Sequence, residues 1–255
     1  MNKKNNKEEL KDLLEKLNSG EEVQQVKEEA RDLLNRISPK ELSEAEQELI
    51  DDGLEETELR HLCEAHIEAM AEELEALKAE VPVGHPLNTL ITEHDEILKI
   101  LDRLEKVNNR IQKMKIYNSD HGIFTQLKDI ACNLLETENH HKREEEVLFP
   151  EVDATGVTGP TRIMKMEHED LWPRKEKVDY LANNIDSLDF GDFKKQLNDN
   201  TEYIVLTLRD HIFKENHILY PTAKEVIEEE RWAGIKKDSD RIGYCSFTPK
   251  ITKVQ

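Results

Sequence analysis

The chain has 255 residues, of which 36% are apolar and 36% charged, with only 9 Gly and 8 Pro. So few turn formers argue against sandwiches and barrels and for long helices with heavily charged outer faces. A formal net charge of -20 repels phosphate backbones and anionic lipid, so neither nucleic acid nor a membrane is expected as a partner.

The N-terminal third reads as a small helical domain, residues 1–80. Leu10, Leu13, Leu14 and Leu17 form one stripe, and Val23, Val26, Ala30, Leu33, Leu34 and Ile37 a second. Ser19-Gly20 separates them, Ser38-Pro39 opens a short helix that Gly53 closes, and a longer helix runs over 55–79. The break at 81–86, VPVGHP, is the domain boundary.

Four long helices follow, over 87–116, 120–148 (with Ser119 as its cap), 161–185 and 192–219. A last helical piece covers 222–238, ahead of a short tail. The predicted fold is therefore all-α: an up-down-up-down four-helix bundle over 85–225, preceded by the small helical domain and followed by a C-terminal helix and tail over 226–255. No apolar run approaches the roughly 20 residues needed to span a bilayer. The start of the chain has no apolar signal region, and Cys63, Cys132 and Cys245 are scattered, which together predict a reduced, cytoplasmic setting. Cys132 is expected to be a buried small residue.

Polar residues interrupt the apolar faces at one level. In the fourth helix, Leu197, Thr201, Ile204, Leu208, His211, Glu215 and Ile218 share a face; in the third, Met164, His168, Leu171, Val178 and Ile185 do. Residues 140–150, HHKREEEVLFP, match residues 211–221, HIFKENHILYP. Each contains His and Glu four residues apart, ahead of an apolar pair, an aromatic and Pro. At that spacing an imidazole and a carboxylate lie side by side on one helix face. Glu93-His94 near the start of the first helix parallels Glu167-His168 near the start of the third.

In an antiparallel bundle the starts of the first and third helices lie level with the ends of the second and fourth. His94, His140, Glu144, His168, His211 and Glu215 can therefore converge in the interior, four imidazoles and two carboxylates. This mixed nitrogen and oxygen set suits iron, manganese or zinc better than calcium, and it suits two ions better than one. Two alternatives stay open. His141 and Glu145 form an i,i+4 pair as well, and the stripe Ile123, Leu127, Ile130, Leu134, Thr137 points toward His141. The internal repeat favours His140 and Glu144.

His61, His66, His85, His121 and His217 read as ordinary core, boundary or surface residues. Glu93, Asp95, Glu167 and Glu169 are candidates for orienting the ligand histidines, although most such charges only solvate a helix face. Tyr117, Trp172 and Tyr203 are read as packing, with an electron-path role as the alternative.

These motifs resemble the hemerythrin-like, cation-binding HHE family over about 85–225. The resemblance implies a non-haem di-iron centre with an oxo or hydroxo bridge, with Mn or Zn as substitutes. His94 and His140 would ligate one iron, His168 and His211 the other, and Glu144 and Glu215 would bridge. Trp172 stands where the respiratory branch has a further His, and Glu215 where it has Asp. The set is more similar to the iron–sulfur cluster repair (RIC-type) branch. The stretch from Leu33 to Glu80 looks like a family of uncharacterised helical domains fused ahead of hemerythrin-like domains.

The expected function is binding or sensing of a small gaseous or peroxide ligand, O2 or NO among them, at the iron pair. The alternatives are an enzyme that reduces NO or peroxide or donates iron for cluster repair, and a structural protein with a polar core. A homo-oligomer and a redox or signalling protein partner are both compatible with the sequence.

Overall fold

The computed structural model describes residues 74, 77–119 and 121–250. The expectations for the stripes before Leu77 therefore lie outside the described residues. Every element among the described residues is helical, and the fold is all-α. The unit that carries the four long helices comprises residues 81–215 and 225–255.

Helix α1 spans Pro86–Gln112. His85 caps it by accepting a hydrogen bond from the Leu87 N–H at Nδ1, and Pro86 suits the first turn because its missing N–H would have no partner there. The second long helix is broken rather than continuous. It consists of α2 (Ile123–Glu136), α3 (Glu138–Arg143), a π-helical turn at Glu144–Leu148, and α4 (Phe149–Asp153). Ser119 is not its cap: the helix starts later, and His121 Nδ1 accepts from the Ile123 N–H instead.

Helix α5 spans Gly159–Asn184, and α6 spans Phe190–Lys214, capped by Asp189 on the Asp192 N–H. A second π-turn follows at Glu215–Leu219. The predicted piece over 222–238 is two helices, α7 (Tyr220–Val226) and α8 (Trp232–Ile242), separated by a 3-10 turn at Glu229–Arg231. Within the 81–215/225–255 unit, Trp232 anchors the start of α8 by burying its ring against His85, with centroids 4.5 Å apart.

The two π-turns occupy equivalent places in the internal repeat. Each opens on the repeat's Glu and ends two residues before its Pro. In the first, Phe149 N–H reaches back five residues to the Glu144 carbonyl. Proline lacks an N–H and its ring collides with the carbonyl four residues earlier, so a wider turn relieves both problems. Such turns are often found at functional sites.

Helices α1 and α5 do not pack on each other as neighbours. Each packs against both α2 and α6, which closes a four-helix ring. One half of the ring is apolar: Leu101, Leu104, Leu127, Leu134, Leu171, Leu181 and Leu197 are fully buried. Each such side chain contributes about 1.5–3 kcal/mol by leaving water. Phe124, Phe190 and Phe193 close that end. Cys132 is exposed, contrary to expectation, because it falls between the stripe positions Ile130 and Leu134 and faces outward.

At the other end α8 packs on α1, α3 and the first π-turn. Gly243 has φ of 94°, a left-handed conformation that glycine adopts without strain, and there the tail leaves the helix to return to the bundle. Among the described residues no helix is long and apolar enough to cross a membrane.

Candidate metal centre

All six singled-out residues lie buried at the end of the ring away from Phe124, Phe190 and Phe193. The first and second long helices bring His94 Nε2 and His140 Nε2 to 3.0 Å from each other. The third and fourth bring His168 Nε2 and His211 Nε2 to 2.9 Å. Glu215 spans the two pairs, with Oε2 3.1 Å from His94 Nε2 and Oε1 3.1 Å from His211 Nε2. Glu144 spans them from the opposite repeat, with Oε2 3.4 Å from His140 Nε2 and 3.7 Å from His168 Nε2.

The far nitrogens decide what the near ones can do. His140 Nδ1 lies 2.8 Å from Glu93, His168 Nδ1 2.6 Å from Glu145, and His211 Nδ1 2.7 Å from Glu167. An ionised carboxylate only accepts, so each of these Nδ1 atoms carries a proton and donates. A neutral ring protonated at Nδ1 presents a lone pair at Nε2. His168 and His211 therefore aim two lone pairs at each other across 2.9 Å. That arrangement requires a positive charge between them, either a proton or a metal ion. The donor set thus fits a pair of cations, each facing two imidazoles and sharing two carboxylates.

The proton affinities agree. Burial opposes the charged form of His140, but Glu144 and Glu93 raise it to about 9. Burial likewise opposes the charged form of His211, and Glu215 and Glu167 raise it to about 9. Burial would raise Glu93, yet His140, Arg143 and Thr248 hold it at about 2.

The orienting carboxylates follow a cross-brace. The Glu preceding His94 orients His140, and the Glu preceding His168 orients His211. Glu93 and Glu167 thus hold ligand candidates in place. Asp95 and Glu169 are exposed. Glu145 is half-exposed and engages the far side of His168, whereas Glu144 faces the ring nitrogens.

Both registers weighed for the second helix prove interior. His140 meets His94, and His141 is buried too, its ring stacked on His168 with centroids 3.8 Å apart and planes 8° from parallel. The apolar stripe does reach His141, and the break at Thr137 falls just ahead of the pair.

Three partners escaped the sequence reading. Arg143 pairs with Glu93 at 2.5 Å, Thr248 donates to Glu93 Oε1 at 2.5 Å, and Lys175 is fully buried. Lys175 had a signal: it falls at 175 in the stripe 164, 168, 171, 178, a core position. Thr248 had none, being 155 residues from its partner. Tyr117 donates to Asp186, and Tyr203 lies under the Arg174 guanidinium.

Comparison with known proteins agrees with this architecture. Residues 85–223 match the hemerythrin HHE cation-binding domain, and residues 10–76 match a family of unknown function (DUF438). The chain is 29% identical over 172 residues to the iron-sulfur cluster repair protein YtfE of Musicola paradisiaca, covering 61% of this chain and 76% of that protein. It is 27% identical over 130 residues to a probable iron-sulfur cluster repair protein of Haemophilus influenzae, covering 49% of this chain and 55% of the relative. The domain match spans more than half of the chain, and this chain belongs to the hemerythrin HHE cation-binding domain family.

Proposed function

We propose that the bundle is a non-haem di-iron protein whose iron pair takes a small ligand, O2, NO or a peroxide. The observation that carries this reading is the pair of facing Nε2 contacts flanked by two spanning carboxylates. His94 and His140 would hold one ion and His168 and His211 the other, with Glu144 and Glu215 shared. The iron pair, when bound, would supply redox chemistry and open coordination positions.

The chain's own residues prepare that chemistry. Glu93, Glu145 and Glu167 fix the tautomers and aim the lone pairs. Val147, Leu148 and Phe149 lie buried around this end of the bundle and limit water. The two shared carboxylates are fully buried with histidine nitrogens beside them, so they would offset the charge of the ions without help from solvent.

Two processes could use such a centre. Repair of iron–sulfur clusters is supported by the names of both relatives. Sensing of the bound ligand is the second reading. Metal analysis of protein purified without oxygen tests the shared premise: two irons per chain are expected, and a metal-free yet equally stable chain would leave only a polar core. Transfer of iron to an apo-ferredoxin, or repeated consumption of NO with an electron donor, identifies the repair-type enzyme. Stoichiometric binding without turnover identifies the sensor.

A further inference from the structure

His141 and Lys175 lie beside the His168/His211 pair without belonging to the six-residue set. A ring nitrogen of His141 is within 4.8 Å of ring nitrogens of both His168 and His211. The corresponding residue in the other repeat is Ile212. So one repeat has a polar group at a position where its twin keeps an apolar one.

Two ordinary readings of His141 fail on geometry. As a third imidazole on the ion it would need its in-plane lone pair aimed at the point that His168 Nε2 faces. The rings are instead stacked, 3.8 Å apart and within 8° of parallel. An ion in the plane of His168 therefore stands well out of the plane of His141. As an inert filler, His141 would not need a buried cation. Lys175 Nζ lies 3.4 Å from His141 Nδ1, and it also donates to Thr137 Oγ1 at 2.7 Å and faces Glu138 Oε1 at 3.4 Å.

An ammonium has three protons and no lone pair, so it can only donate. His141 Nδ1 must then accept, and the neutral ring keeps its proton on Nε2. Glu138 Oε1 is also 3.3 Å from Nδ1, but it faces the ammonium at nearly the same distance and balances that charge. The tautomer is therefore opposite to that of His140, His168 and His211: those rings offer a lone pair at Nε2, and this one offers a proton.

We propose that His141, oriented by Lys175, forms an anion subsite that hydrogen-bonds a small anionic ligand entering the centre beside His168. This rests on the reading of the six residues as a two-metal centre. The subsite makes the two ions unequal: a small anion is preferred at the His168/His211 half.

The test uses the full-length, iron-loaded chain and azide as the probe. Iron per chain and the azide dissociation constant are measured for wild type, His141→Leu, His141→Gln and Lys175→Met. Iron content is expected to stay at the wild-type level in all three variants. Azide binding should weaken about tenfold in His141→Leu, recover in part in His141→Gln, whose amide can still donate, and weaken about threefold in Lys175→Met. Loss of one iron in a folded His141→Leu chain would make His141 a ligand and overturn the subsite. Unchanged azide affinity in His141→Leu or, if that variant does not fold, in Lys175→Met would reduce the pair to packing. Wild type that binds no metal would overturn the centre itself, and the subsite with it.

Discussion

The His94/His140 and His168/His211 halves present the same side-chain types but are held by different surroundings. In the first half, Glu93 is fully buried and is gripped by His140, Arg143 and Thr248. Tyr244 lies under the Arg143 guanidinium, and Cys245 is buried, its thiol pushed up to about 12 mainly by burial. The tail after Gly243 therefore seals this half. In the second half the orienting carboxylates, Glu145 and Glu167, reach solvent, and Glu167 also pairs with Lys214. The same ligand types can thus be mounted rigidly on one side and accessibly on the other, because a buried carboxylate feels its partners undiluted while an exposed one shares them with water.

The largest effect is expected where the halves are joined. Glu215→Ala removes the carboxylate that spans both pairs, so bound iron should fall well below one ion per chain by metal analysis. If both ions remain, the halves are independent sites rather than one centre.

The orienting carboxylates come next. Glu93→Gln should weaken metal affinity by about 10–100-fold, the usual cost of losing an orienting partner. Glu145→Gln should cost less than about tenfold because water can replace it. Competition with a metal-binding dye reads both. Equal losses would erase the distinction between a sealed and an open half.

Proton linkage gives a third check. His140 and His211, ordinarily near 6.5, are held up to about 9 in the metal-free fold. A raised folded value adds stability that is complete below pH 6.5 and is lost as pH rises toward 9. Lys175, pushed down mainly by burial to about 8, opposes this trend as pH nears 8, but it is one group against two and has only begun to lose its proton in that range. Thermal unfolding of metal-free protein should therefore shift to lower temperature from pH 6.5 to 8, and much less so after metal loading. Iron uptake at pH 7.5 should release roughly two protons, since the ions displace those on the two rings. Uptake without proton release would remove the argument that each facing pair needs a cation.

The smallest effect concerns the seal. Thr248→Val deletes one buried hydrogen bond to Glu93 and should cost about 1 kcal/mol in denaturant unfolding. Its influence on iron retention should be confined to one of the two ions.

Much of this was legible in the residues. The apolar stripes and the matched H-x-x-x-E segments located the helices and the level of the site, because helical period turns spacing directly into a shared face. The helix boundaries were less legible. The break at Thr137 leaves no mark in the hydrophobic period, so His140 and His141 looked like rivals although both are buried. Cys132 was misplaced because it was read as a small buried residue although it lies off the stripe that carries Ile130 and Leu134. The late start at Ile123 was not legible either, since Gly122 caps the helix without a side-chain hydrogen bond and His121 accepts from the Ile123 N–H from outside it.

The amino-acid sequence alone determined the all-α class, the repeat and the six candidate ligands, since each depends on spacings of a few residues along one helix. Only the tertiary structure decided which carboxylate orients which imidazole, which half is sealed, and where Lys175 and Thr248 belong. Those depend on contacts between segments far apart in the chain, where packing selects the partner and no local period encodes it.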